Sequence, residues 1–188
     1  VLTRKAAQGV DVRVIYDGVG SAATLPVKYP DILHARGILC RVFQPLVPVL
    51  SIHQNNRDHR KYMIVDGAVA FTGGINMADE YINIKPRFGH WKDSAIRLEG
   101  DAVWSMTISF LSMWDFTQEE EEQLQRYRPD PAPAGSEGYV QPYHDCPWDD
   151  EPVGQTVYLN LINRAKRYVY ITTPYLVIDY AVTVALTT

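Results

Sequence analysis

The hydrophobic and polar positions of this chain fall into short runs with the two-residue period of a strand and longer runs with a helical period. "VDVRVIYD" (10–17) alternates apolar and polar side chains, as a strand with one buried face does. Ahead of it, "VLTRKAAQG" reads as the last turns of a helix stopped by Gly9. "ILCRVF" (38–43) predicts a second strand, reached through a helical or irregular stretch around 27–36. "QPLVPVLS" carries two prolines and predicts a loop at the rim of the sheet. In "KYMIVDGAVAFTGG" two β-prone runs flank Asp66-Gly67, a dipeptide that favours a tight type I′ hairpin turn. The first of those strands carries Lys61 and the second ends at Gly73-Gly74. "SAIRLEG" (94–100) predicts a further strand.

"DAVWSMTISFLSMWDF" places Val103, Thr107, Phe110 and Trp114 on one stripe, with Trp104, Ile108 and Leu111 beside it. That is the broad apolar face of a core helix, with Asp101 expected as its N-cap. "TQEEEEQLQRYRPDPAPAGSEG" then shifts to charge, proline and glycine and predicts a linker, its Glu119–Glu122 run being a solvated helix end. Beyond it, "GQTVYLNLINRAKRYVYITTPYLVIDYAVTVALTT" predicts helix, strand, loop, helix. This closing unit would run into a "GVDVR" strand as the opening of the chain does, which suggests an internal repeat.

Composition narrows the picture. With 188 residues, 46% hydrophobic and 21% charged, the chain has the balance of an ordinary folded domain. A net charge of -4 argues against binding nucleic acid through bulk charge, so no nucleic-acid partner is expected. Cys40 and Cys146 lie far apart in unlike contexts and predict buried or incidental thiols, not a disulfide framework or zinc site. No run of about twenty apolar residues is present to span a bilayer, and no signal peptide opens the chain. Lacking an initiator Met, it reads as a soluble piece of a longer protein.

The candidate chemistry lies in "HRKYMIVDGAVAFTGGIN" (59–76). Breaking a phosphodiester takes a nucleophile, neutralisation of the phosphate oxygens and a proton for the leaving oxygen. The imidazole of His59 suits either nucleophile or acid, because it titrates near neutrality. Lys61, two residues on along a strand, shares its face and brings a fixed positive charge with three donors. Asp66 at the turn is placed to hold the hairpin or orient a charged neighbour. Gly73 and Gly74 allow close backbone approach, and Asn76 adds a neutral donor. No carboxylate-rich ligand set is nearby, so the scheme calls for neither metal nor cofactor. Taken singly, these residues would suit an exposed basic patch before an ordinary hairpin. Six positions at fixed spacing make coincidence remote.

That spacing, H-x-K, four residues, D, six residues, G-G-x-N, resembles the HKD motif of the phospholipase D superfamily. The flanks "MADEYIN", "HWKDSAIRLEGDAVWSM" and "QPYHDCPWDDEPVGQTVYLNLINRAKRYVYITTPYLVIDYA" look like bacterial cardiolipin synthase, and the similarity runs along essentially the whole chain. The resemblance implies an α/β fold, a mixed central sheet flanked by helices, built from two repeats that each give one HKD motif to a shared site. It implies phosphatidyl transfer: a histidine attacks phosphatidylglycerol, glycerol leaves, and a second phosphatidylglycerol resolves the phosphatidyl-histidine to cardiolipin. On that basis His59, Lys61 and Asp66 form the catalytic set, and Lys61, Gly74 and Asn76 bind the substrate phosphate. Whether His59 is nucleophile or acid stays open. Trp91-Lys92-Asp93 matches a family segment near the site.

A second H-x-K-x4-D is missing. His34, His53 and His144 have no lysine two residues on, and His90 starts "HWKD" without the later Asp or Gly-Gly. The family's order therefore implies a first repeat at 1–117 lacking its N-terminal part, a linker at 118–154, and the opening strand–helix of a second repeat at 155–188. By pseudo-symmetry that last unit could complete the first repeat, within one chain or by exchange in a homodimer. The implied partners are phosphatidylglycerol or another phospholipid headgroup and the second HKD repeat of the full-length protein, which would sit at the bacterial cytoplasmic membrane. Alone, the chain is expected to be inactive. Two other readings compete: a phospholipase D-type nuclease or phosphodiesterase pairing single motifs across a dimer, and a non-catalytic module that holds a phosphate or lipid headgroup.

Overall fold

The computed structural model describes residues 1–45, 56–87, 89–117, 123–130, 138–145, 150–173 and 176–188. They form two units, Val1–Val140 and Gln141–Thr188. The first opens with α1 (Leu2–Ala6), which ends before Gly9 at φ 85, as the glycine stop predicts. Strands β1 (Arg13–Asp17) and β2 (Leu39–Phe43) pair in parallel, Arg13 opposite Leu39 through Asp17 opposite Phe43. Parallel pairing needs a crossover, and α2 (Gly18–Ser21) and α3 (Tyr29–His34) lie within it. Of the expected rim loop, only Gln44 and Pro45 fall among the described residues.

Alternation decides what each face of this small sheet meets. Val14 and Cys40 turn one way, toward a core of Leu33, Ile38 and Cys40 that Ala6, Tyr16 and Tyr29 close. Cys40 is 5% exposed, and burial pushes its thiol up to about 11, as befits a core residue. Arg13 and Arg41 turn the other way and lie 5.2 and 5.3 Å from the ring of Trp114, within cation–π reach.

The second sheet is antiparallel, in the order β3 (Tyr62–Val65), β4 (Val69–Gly73), β5 (Ala95–Glu99). Asp66 and Gly67 are both left-handed, at φ 54 and 63, and the Ala68 amide donates to Val65 O at 3.0 Å. These are the turn geometries that Asp-Gly favours, although pairing resumes at Val65–Val69, so Ala68 makes the connection three residues long. Helix α4 (Asp101–Phe116) covers this sheet. Val103 and Met106 pack on Ala70, with Tyr62, Ile64 and Leu98 around them.

The expected stripe holds at Val103, Thr107 and Trp114, which are buried with Leu111; Met106 joins them, while Trp104, Ile108 and Phe110 are only half-buried. Asp101 is the first helical residue and not the N-cap. Gly100 takes the cap position at φ 88 and ψ −159, a backbone open to glycine, which leaves the Asp101 carboxylate in the first turn where the helix dipole favours it.

The α/β class is therefore present; among the described residues parallel pairing falls in one sheet and antiparallel pairing in another, where a single mixed sheet was expected. Part of the expected linker is structured: a 3-10 turn at Leu124–Tyr127 presents the Tyr127 hydroxyl, which accepts from Arg13 Nη2 at 2.8 Å.

In the second unit α5 (Val153–Arg164) and α6 (Tyr180–Thr187) are the predicted helices. The strand expected between them is not formed in residues 165–173, and Tyr168 and Tyr170 are exposed. A strand exists only where a neighbour takes up its backbone donors and acceptors, and no partner strand pairs with this stretch among the described residues. Among those residues, too, no helix is long and apolar enough to cross a membrane.

Candidate active site

The hairpin register brings the two ends of the 59–76 stretch together. Tyr62 opposes Thr72, and one step further the Gly73 amide donates to Lys61 O at 3.4 Å, with the Thr72 hydroxyl on the same oxygen at 3.0 Å. Lys61 thus stands across from Gly73 at the open end of the hairpin. Asp66 is at the other end, about 16 Å away along five residues of extended chain. The structure does not bring Asp66 to the cations; it puts Asp66 in the turn that sets their register.

Alternation also separates the basic residues. Arg60 turns toward α4, where its Nη1 donates to Ser109 Oγ at 2.8 Å, and it shares that side with Tyr62 and Ile64. His59 and Lys61, one residue to either side, are left for the opposite face. His59 is exposed and Lys61 half-buried. The Lys61 ammonium donates to the His59 carbonyl oxygen at 2.5 Å. Partial desolvation and the Lys61 charge hold the His59 imidazole below its usual pKa, against the opposing pull of Asp58 and Asp17. Desolvation likewise lowers Lys61, again opposed by Asp58 and Asp17.

The Gly73-Gly74 pair has a steric cause within the chain. A Cβ on Gly73 would collide with the Ser94 carbonyl and Ala95 Cα of β5, and one on Gly74 with the Asp93 carboxylate. Gly74 N donates to Ser94 O at 3.2 Å. Asn76 reaches the same neighbourhood: its Nδ2 donates to the Tyr81 hydroxyl at 2.5 Å, and the Tyr81 ring lies 4.7 Å from Trp91. Trp91 Nε1 in turn donates to Asp93 Oδ2 at 3.0 Å, and that bond, with the Ser94 amide, holds Asp93 below the usual carboxylate range. The "HWKD" segment is thereby tied to the glycines and to Asn76.

Residues outside the motif complete the constellation. Asp17, at the C-terminal end of β1, accepts from Arg57 Nε at 3.0 Å and from the Asp58 amide at 2.9 Å. Asp58 accepts from Arg60 Nε at 2.8 Å. The sequence signal for Arg57, Asp58 and Arg60 was their place in "NNRDHRK" beside the histidine. For Asp17 it was only an acid closing an alternating strand.

Chemically, the open end of the hairpin offers an accessible imidazole held toward its neutral form and an ammonium beside it, across the register from a glycine pair packed against β5 and the Asp93 carboxylate. That set suits attack on, and charge neutralisation of, a phosphoryl group.

A family model described as "Cardiolipin synthase, PLD-like domain" matches residues 1–85. An uncharacterized protein of Streptococcus mutans is 47% identical over 179 residues, covering 95% of this chain and 39% of that protein. Proteins named cardiolipin synthase 2 in Staphylococcus epidermidis and cardiolipin synthase in Staphylococcus aureus are 33% and 34% identical, each over 96% of this chain and 37% of the relative. The chain thus spans under two-fifths of the length of these relatives.

Proposed function

We propose, from the match of residues 1–85 to a family model described as "Cardiolipin synthase, PLD-like domain", that this chain is a member of the phospholipase D superfamily and carries one HKD half of a phosphatidyltransferase site. The substrate is phosphatidylglycerol and the product cardiolipin. One histidine attacks phosphorus through a ring nitrogen, and the bond from phosphorus to the glycerol oxygen breaks. The leaving oxygen takes a proton from the second histidine, supplied by another HKD motif. A hydroxyl of a second phosphatidylglycerol then attacks the phosphatidyl-histidine, gives its proton to that same base, and the P–N bond breaks. His59 is one of the two histidines; Lys61, Gly74 and Asn76 hold the phosphate, and Asp66 sets the hairpin on which they depend.

The observation that supports this reading is the register that sets Lys61 across from Gly73, so that both ends of the motif meet at one open edge. The lowered imidazole favours the neutral ring, the form a nucleophile needs. The test uses the full-length protein on vesicles of phosphatidylglycerol, following cardiolipin and glycerol by mass spectrometry. Wild type is expected to form both in equal amounts, and His59→Ala to lose at least about a thousandfold in rate. Unchanged turnover in His59→Ala overturns the proposal. Cleavage of a generic phosphodiester without any cardiolipin would point instead to the hydrolytic reading.

A further inference from the structure

The catalytic stretch is gripped from a place that its own motif does not contain. Asp17 lies forty residues before Arg57, at the end of the parallel sheet, yet its carboxylate takes both Arg57 Nε, at 3.0 and 3.1 Å, and the Asp58 main-chain amide at 2.9 Å. It also accepts from the Gly20 amide at 2.7 Å, which fixes the carboxylate itself as the cap of α2. The Asp17 side chain is 11% exposed and that of Arg57 35%. Gly20 belongs to the same device: a Cβ there would come within 2.9 Å of Arg57 Nη2.

We propose that Asp17 is a positioning residue for His59, holding the two residues that lead into the histidine through the Arg57 guanidinium and the Asp58 amide. This rests on the phosphatidyl-transfer reading above. The geometry explains why one carboxylate takes both tasks. Arg57 and Asp58 enter the open end of the hairpin, where no β-ladder bond yet fixes the chain. On the far side Arg60 is fixed by Asp58 and by Ser109 of α4. Asp17 supplies the near-side anchor, so His59 hangs between two held points. A bidentate guanidinium–carboxylate pair constrains angle as well as distance, and a nucleophile displaced by about an ångström loses up to about a hundredfold in rate.

Asp17 also acts on the ring by charge. The ionisable groups acting on His59 are Lys61, which disfavours the protonated ring, and Asp58 and Asp17, which favour it. Removing the Asp17 charge therefore moves the imidazole titration further down.

The test is steady-state kinetics of the full-length protein on phosphatidylglycerol vesicles across pH. Asp17→Asn keeps an acceptor for Gly20 but loses the ionic grip on Arg57. It is expected to lower kcat about tenfold or more with KM within about twofold, and to move the pH limb that reports His59 to lower pH. A purely structural Asp17 would lower the thermal midpoint while leaving kcat per folded molecule and the limb in place, and that result overturns the proposal. Should Asp17→Asn fail to fold, Arg57→Gln at the more exposed partner carries the test. Its kcat falls and its limb moves to higher pH, because the Asp17 carboxylate near the ring is no longer neutralised by a guanidinium; unchanged kcat and limb again overturn the proposal. His59→Ala in parallel separates the two claims. If it stays active both fall, whereas loss in His59→Ala with unaltered Asp17→Asn and Arg57→Gln kinetics sinks this one alone.

Discussion

The ammonium of Lys61 donates to the carbonyl oxygen of His59, and the carbonyl of Lys61 accepts in turn from the Gly73 amide and the Thr72 hydroxyl. The lysine is therefore held at both ends, its main chain by the opposing strand and its charge by the residue two places before it. Its charge stays close enough to the His59 ring to depress the imidazole titration. Side-chain freedom, which a lysine on an open edge would otherwise keep, is reduced by that contact.

Lys61→Met removes the charge and keeps most of the stem. Its ammonium donates to a main-chain oxygen at a half-buried site, so the stability cost is expected to stay within about 1 kcal/mol. Turnover of phosphatidylglycerol by the full-length protein should fall about a hundred- to thousandfold, the loss associated with one electrostatic stabiliser. The His59 ring, relieved of a neighbouring cation, should titrate at higher pH than in the wild type, read by NMR. A titration unmoved by Lys61→Met would separate the two side chains.

Gly73 and Gly74 are expected to respond unequally to alanine. The Gly73 Cβ would meet the main chain of Ser94 and Ala95, which cannot step aside without disturbing β5. The Gly74 Cβ would meet the Asp93 carboxylate, a side-chain end tethered by Trp91 and Ser94. Gly73→Ala should cost about 1–3 kcal/mol or more in urea unfolding, and Gly74→Ala less. Equal costs would mean that Asp93 is as rigid as the strand.

Asp66 and Gly67 carry positive φ. Asn tolerates that region and a β-branched side chain does not, so Asp66→Asn should retain the thermal midpoint of the wild type. Asp66→Val should lose about 1–2 kcal/mol. If Asp66→Asn keeps stability but loses activity, the carboxylate does more than shape the turn.

Asp17 should contribute to acid sensitivity. Burial alone would raise its pKa, but the hydrogen bonds from Arg57 and from the Gly20 and Asp58 amides outweigh it and leave the group lowered. A carboxylate lowered on folding contributes stability that is complete above its unfolded pKa, near about 4, and lost as pH falls through the folded value. Between pH 7 and about pH 3, Asp17→Asn should therefore show a smaller fall in unfolding free energy than the wild type. Parallel pH profiles for the two proteins would contradict this.

Much was legible because it is local. The Asp66-Gly67 turn follows from which residues accept positive φ, the α4 stripe from the helical period, and the α1 stop from Gly9. The candidate residues His59, Lys61, Gly74 and Asn76 were legible through residue type and spacing. The same local logic over-reached at 167–173, whose β-prone side chains predict a strand that finds no partner among the described residues. It also over-reached at Asp101, where Gly100 accepts a backbone conformation that displaces the expected cap.

By itself, then, the sequence determined which side chains alternate, where the backbone can reverse, and that one imidazole and one ammonium share a strand face. Only the tertiary structure decided that Asp17 holds Arg57 across forty positions, that β5 leaves no room for a Cβ at Gly73, and that Tyr127 accepts from Arg13. The reason is physical. Periodicity and turn chemistry are set by steric rules between near neighbours, whereas the partner of a carboxylate or the neighbour of a glycine is set by which surfaces pack once the chain has closed on itself.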